Sequence, residues 1–220
     1  MKRILSIILI IIFFSCKNTE NSNSPLEAEG IPYFHTPDFT PLWLTEKSQL
    51  DTLHQLANFE FLNQNGEKIT QETFRGKIHV MNCFFTICPS LCPKLMTNMN
   101  EIQKAFKDDK NVLIASYSVT PDRDSVEVLR NYANINGIID NKWALLTGDK
   151  KQIYQIARKS YFADENIGVQ KGENDFLHTE NFILVDKNLH IRGVYNGTLP
   201  LEIEQLIKDI ATLEKDNKSL

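Results

Sequence analysis

Cys88 and Cys92 stand four residues apart at a point where a strand gives way to a helix. The run Ile78 to Phe85 is continuously apolar and reads as a buried strand. It breaks at Thr86-Ile87-Cys88-Pro89 and then takes on helical spacing. Residues at i and i+4 share a helix face, so both sulfurs can address one spot. A helix start offers unpaired N–H groups and partial positive charge, which favour thiolates. Pro89 suits a first helical position, whereas Pro93 disfavours the α conformation at Cys92, so the first turn should be irregular and the regular helix should begin at about Pro93. Two adjacent thiolates can bind a soft metal or close a disulfide, and the rest of the chain must decide between them.

The positioning elements follow in order. Phe59 to Leu62 alternates weakly, Asn65-Gly66 is a turn signal, and Lys68 to Thr70 is the return strand of a hairpin. Arg75-Gly76-Lys77 turns into the central strand. Lys94 to Lys107 places Leu95, Met99, Ile102 and Phe106 at helical spacing; Met96 and Met99 fit a core better than a thioether site. Val112 to Val119 is a second buried strand, Thr120 to Asp124 a polar turn, and Ser125 to Asn134 a helix with Val128, Leu129 and Tyr132 inward. Trp143 to Thr147 is a short strand and Asp149 to Lys159 a helix. Residues 162–178 form a polar excursion. Asn181 to Val185 and His190 to Tyr195 pair across Asp186-Lys187-Asn188, and Leu201 to Leu213 is the last helix. Strands alternating with helices imply an α/β domain with a partly parallel central sheet flanked by helices. The closing antiparallel hairpin and helix, with the cysteines after the first core strand, resemble the thioredoxin fold, to which an N-terminal hairpin is added.

Within that frame the chemistry narrows. Cys83 lies inside the strand and reads as a small buried hydrophobe. A disulfide closing the short loop between Cys88 and Cys92 contributes little entropic stability, so the pair is better explained by chemistry. Two intervening residues are usual for a thioredoxin-type reductase, and three are present here. Thiolates suit Cu(I), and a nearby imidazole accommodates Cu(II). Structural zinc would need a fourth ligand that cannot be placed. Of the five histidines, His79 and His190 fall in strands and His35 and His54 in an N-terminal arm. His178 ends the excursion just before Asn181 to Val185, a loop that in a thioredoxin-like sheet lies beside the Cys-bearing turn.

The segment Phe85-Thr86-Ile87-Cys88-Pro89-Ser90-Leu91-Cys92-Pro93 closely resembles the motif of the Sco/SenC proteins, thioredoxin-like copper chaperones of cytochrome c oxidase assembly. The resemblance runs from about Phe59 to the last helix. It includes Arg75-Gly76-Lys77, Ser118 to Ser125, Trp143 to Gly148 and His178-Thr179. It implies that Cys88, Cys92 and His178 bind one copper ion, Cu(I) or Cu(II). It also implies cytochrome c oxidase subunit two, with its dinuclear copper centre, as recipient. Two positions depart from the pattern: Thr120 stands where the family often has Asp, and Leu177 where many members have an acidic residue.

The N-terminus bears on location. Met1-Lys2-Arg3 is basic, and Ile4 to Phe14 is almost unbroken apolar sequence. That run is too short for a membrane span, which needs roughly 20 residues, and suits an export signal. Ser15-Cys16 at its end looks like a lipoprotein cleavage site, with Phe13 in place of the usual Leu. Residues 1–15 are expected to be the signal and Cys16 the lipid-bearing residue. Residues 16–30 would be a flexible tether, 31–56 an arm, 57–213 the domain and 214–220 a charged tail. The expected location is extracytoplasmic, on the periplasmic side of a bacterial membrane. The formal charge of −4 and the lack of a basic aromatic patch give no sign of nucleic-acid binding.

Three readings follow. The first is a copper chaperone with no turnover chemistry. The second is a thiol–disulfide oxidoreductase using Cys88 and Cys92, with a thiol reductase as possible partner. The third, a peroxidase-type thiol enzyme, would need activating Thr and Arg residues. Thr86 is near Cys88, but no suitable Arg is evident.

Overall fold

The computed structural model describes residues 30–44, 47–89, 91–163, 172 and 175–216. The expected signal sequence, Cys16 and nearly all of the expected tether lie outside the described residues. Among those described, no helix is long and apolar enough to cross a membrane.

The chain enters through two short strands, β1 (Tyr33–Phe34) and β2 (Pro41–Leu42), and a 3-10 turn at Lys47–Thr52. The expected hairpin follows as β3 (Glu60–Leu62) and β4 (Lys68–Thr70), with Gly66 at φ 76° in its turn, and leads into α1 (Gln71–Phe74). Then come β5 (Ile78–Phe84), α2 (Leu91–Ala105), β6 (Val112–Ser118), α3 (Val126–Ile135), β7 (Trp143–Leu146) and α4 (Lys150–Gln155), which runs into a π-helical turn at Ile156–Ser160. The chain closes with β8 (Asn181–Val185), β9 (Ile191–Asn196) and α5 (Pro200–Asp216). The main sheet has the order β2-β1-β9-β8-β5-β6-β7. Pairing is parallel for β5/β6 and β6/β7 and antiparallel elsewhere.

Side-chain alternation along β5 builds the two layers. Ile78, Val80 and Phe84 pack with Leu95, Met99 and Ile102 of α2, Leu129 of α3 and Leu206 of α5. Met81 and Cys83 face the other way, towards Phe61, Phe74, Ile153 and Tyr161. Met96 and Met99 are buried, as their spacing implied.

Four local expectations change. Helix α2 starts at Leu91, not near Pro93; a proline in a first turn forfeits no intrahelical bond, because those N–H groups lack partners anyway. In α3 the buried pair is Leu129 and Ala133, four apart, while Val128 is 39% exposed. The helix expected up to Lys159 turns π-helical at Ile156, where Tyr161 N–H reaches the Ile156 carbonyl at 3.1 Å. The arm is also not irregular throughout: β1 pairs with β9. Arg192 fastens it, donating to the Pro32 carbonyl at 3.0 Å and the Ile31 carbonyl at 2.5 Å. The same guanidinium pairs with the buried Asp186 at 3.1 Å and lies 3.8 Å from the Tyr33 ring centre.

His79 is fully buried on β5, its Nε2 3.1 Å from the Tyr161 hydroxyl and its Nδ1 without a partner among the described residues. Burial lowers its pKa to about 3, so the folded chain holds it neutral while the unfolded chain protonates it below about 6.5. Stability from this group is therefore present above pH 6.5 and lost as pH falls towards 3. Denaturant unfolding should show a drop of up to about 1.4 kcal/mol per pH unit between pH 6.5 and 5. In His79→Gln that slope should flatten; an unchanged slope would refute the assignment.

Candidate metal centre

The Cys-bearing turn leaves β5 at Phe84 and is closed by the Cys88 N–H donating to the Phe85 carbonyl at 3.3 Å. The Cys92 N–H, in the first turn of α2, points back at the Cys88 sulfur, 3.3 Å away. The helix N-terminus thus supplies a donor to the first thiol. Cys88 is half-buried and Cys92 is buried. Burial pushes the Cys92 thiol up to about 12, reinforced by Cys88 and by the charge of Asp124. This corrects the expectation of two helix-stabilised thiolates: for Cys92, desolvation outweighs the helix end.

His178 arrives from the other side of the fold, just before β8. Its neighbours pin the loop. Leu177 is 1% exposed in the core, and Phe176 sets its ring edge-on to Phe85 with centroids 5.6 Å apart. Further back, Arg158, on the π-helical turn, donates to the Gly172 and Asp175 carbonyls at 2.9 and 2.6 Å. The His178 side chain is exposed. Cys88, Cys92 and His178 line one cavity of about 130 Å³, together with Cys83, Phe85 and Leu177. Cys83 faces the Tyr117–Tyr161 layer, consistent with its expected packing role.

The donor set, two thiols and one imidazole at a mostly apolar cavity, fits copper by ligand type. The three side chains share the cavity without closing on one point: among the described residues no three His, Cys, Asp or Glu side chains are drawn into a metal-holding cluster. Coordination would require the three side chains to draw closer together. The other histidines are elsewhere. His54 Nε2 meets the Ser160 carbonyl at 2.8 Å and His190 Nδ1 the His54 carbonyl at 3.0 Å, so both serve packing. His190 itself precedes β9 and does not begin it.

Sequence reasoning missed Asp124. Its carboxylate is fully buried and receives the hydroxyls of Thr86 (2.5 Å), Ser118 (2.5 Å) and Thr120 (3.1 Å). The available signal was three hydroxyl residues at the ends of two adjacent strands, with an acid four residues past Thr120. Thr86, the residue that a peroxidase-type site would need beside Cys88, is committed to this carboxylate.

The asymmetry of the two thiols is testable. Limited iodoacetamide labelling of the reduced chain near neutral pH should modify Cys88 well before Cys92, and the gap should narrow as pH rises towards 12. Equal rates by mass mapping at neutral pH would contradict the burial and the raised thiol of Cys92.

The family model described as SCO1/SenC matches residues 47–215. A SCO1/SenC family lipoprotein from Bacillus anthracis str. Ames is similar in structure, with 30% identity, a TM-score of 0.63 and coverage of 73% of this chain and 95% of that one. BsSco, a Sco-family cytochrome c oxidase assembly protein in which a disulfide switch was identified, is 28% identical with a TM-score of 0.62, over 74% and 94% of the two chains. Copper-bound ScoI of Bradyrhizobium japonicum is 26% identical with a TM-score of 0.55, over 69% and 96%. The thioredoxin-like α/β fold expected from the order of elements is the fold shared with these structures. With the family model matched along most of its length, this chain belongs to the SCO1/SenC family.

Proposed function

We propose that this protein is an extracytoplasmic copper chaperone, tethered to a bacterial membrane through lipid on Cys16. On this reading it carries copper on Cys88, Cys92 and His178 to the dinuclear copper centre of cytochrome c oxidase subunit two. The observation that carries the proposal is the convergence of two thiols and an imidazole, from segments far apart in sequence, on one cavity. Copper bound in the ScoI relative and the assembly role ascribed to BsSco support the cargo and the class of recipient. The lipoprotein relative and the apolar N-terminal run ending at Ser15-Cys16 support the tether.

The geometry suits transfer by ligand exchange. Cys88 and His178 are the accessible donors and Cys92 the buried one. An incoming thiol of the recipient loses its proton as it binds copper, and each departing thiolate of the chaperone gains one. The copper oxidation state is unchanged, and binding by the buried Cys92 requires loss of its proton, so affinity rises with pH.

A thiol–disulfide role for the same pair is favoured by one observation, the half-buried Cys88 backed by buried Cys92. The Cys88 thiolate would attack a disulfide of the recipient, forming a mixed disulfide. Cys92 would then give up its proton and attack the Cys88 sulfur, releasing the recipient as a dithiol. Two electrons pass to the recipient, and an external dithiol must reduce the resulting Cys88–Cys92 disulfide.

Titration of the reduced, detergent-solubilised chain with Cu(II), followed by visible absorption, tests the proposal. A thiolate-to-copper charge-transfer band should saturate at one copper per chain and disappear in Cys88→Ala and Cys92→Ala. In His178→Ala, Cu(II) affinity should fall at least tenfold while disulfide exchange with a small dithiol is retained. Wild-type Cu(II) affinity in His178→Ala would overturn the three-ligand assignment.

A further inference from the structure

Asp124 has no cation partner among the described residues, yet it is fully buried beside the Cys-bearing turn. A carboxylate held in the interior without a counter-charge is costly. Three hydroxyls meet it here: Thr86 on one oxygen, and Ser118 and Thr120 on the other. An ionised carboxylate only accepts hydrogen bonds, so this all-donor cage suits the charged form. Hydroxyl dipoles offset part of the charge but do not cancel it.

We propose that Asp124 is a fixed negative charge behind the copper pocket, and that it biases the bound ion towards Cu(II) over Cu(I). This inference rests on the copper reading given above. Two thiolates and a neutral imidazole sum to zero net charge with Cu(II) and to −1 with Cu(I). A buried negative charge nearby therefore disfavours the reduced form, through an interaction that the low-dielectric interior strengthens. Thr86, which donates to Asp124, lies on the turn between Phe85 and Cys88, and both of those residues line the cavity, so the carboxylate stands directly behind the pocket wall. Thr120 gains a role here: its hydroxyl donates to Asp124 Oδ2, and its backbone N–H reaches Ser118 Oγ at 3.2 Å. An acidic residue at position 120 would instead bring a second negative charge beside the same carboxylate.

The test is potentiometric titration of the copper-loaded chain, with Cu(I) and Cu(II) affinities measured by competition with chelators. Asp124→Asn keeps the shape and one acceptor oxygen but removes the charge. It should weaken Cu(II) relative to Cu(I) at least tenfold, raising the midpoint by about 59 mV for each factor of ten. Thr86→Val keeps the charge, cuts the tie to the Cys-bearing turn and removes one screening hydroxyl, so the ratio should hold or move slightly towards Cu(II), opposite to Asp124→Asn. If both variants shift the ratio alike, or neither does, Asp124 acts through turn geometry or not at all, and the proposal falls. Should Asp124→Asn not fold, Thr120→Val decides. Loss of one screening hydroxyl should favour Cu(II) by twofold or more, and an unchanged or reversed ratio refutes the inference. A wild-type chain that binds no copper refutes the parent reading instead.

Discussion

The parallel pairing of β5 with β6, in register from Ile78 opposite Val112 to Phe84 opposite Ser118, brings two turns out at the same edge of the sheet. One carries Cys88 and leads to Cys92; the other runs from Thr120 to Asp124. Because the strands stop level, Thr86 and Ser118 reach the same carboxylate. The Val119 N–H, donating to the Phe84 carbonyl at 2.9 Å, extends the pairing beyond the strands. The third component comes from antiparallel β8, which lies on the opposite side of β5 and delivers His178 to the same edge. The pocket therefore depends on the position of β5 between a parallel and an antiparallel neighbour, and both faces of β5 are buried to keep it there.

Burial then differentiates chemically similar groups. Cys88 is half-buried and accepts an N–H from α2, whereas Cys92 is packed among the α2 core residues and resists ionisation. His178 is the exposed donor, held on a loop whose adjacent residue Leu177 is locked in the core. On the proposed copper reading, a donor set with one deep, one intermediate and one exposed member would allow stepwise exchange, because the outer ligands could leave before the inner one. A fully enclosed set would hold the ion without offering a recipient a way in.

Much of this was legible in the sequence. The buried strands read from unbroken apolar runs such as Val112 to Val119, and the helices from three-to-four spacing in Leu95, Met99 and Ile102. Cys88, Cys92 and His178 stood out as candidates because each borders an element of clear periodicity, and the structure brings them to one cavity. The rest depended on long-range contacts. Strand β1 is two residues long and exists through its pairing with β9 and the grip of Arg192, neither of which leaves a local periodic trace. The inward face of α3 was misjudged by one position at Val128, since adjacent apolar residues on a short helix do not say which one meets the sheet. Asp124 looked like an ordinary turn acid, and only the meeting of β5 and β6 shows its hydroxyl cage.

The central claim is that copper is held by two sulfurs and one imidazole at the edge of β5. X-ray absorption at the copper edge, on the chain loaded with one equivalent of Cu(II), tests it most directly. The account predicts two sulfur scatterers with an outer-shell imidazole pattern, the latter lost in His178→Ala. Copper surrounded by oxygen and nitrogen alone, or an imidazole pattern that persists in His178→Ala, would contradict it.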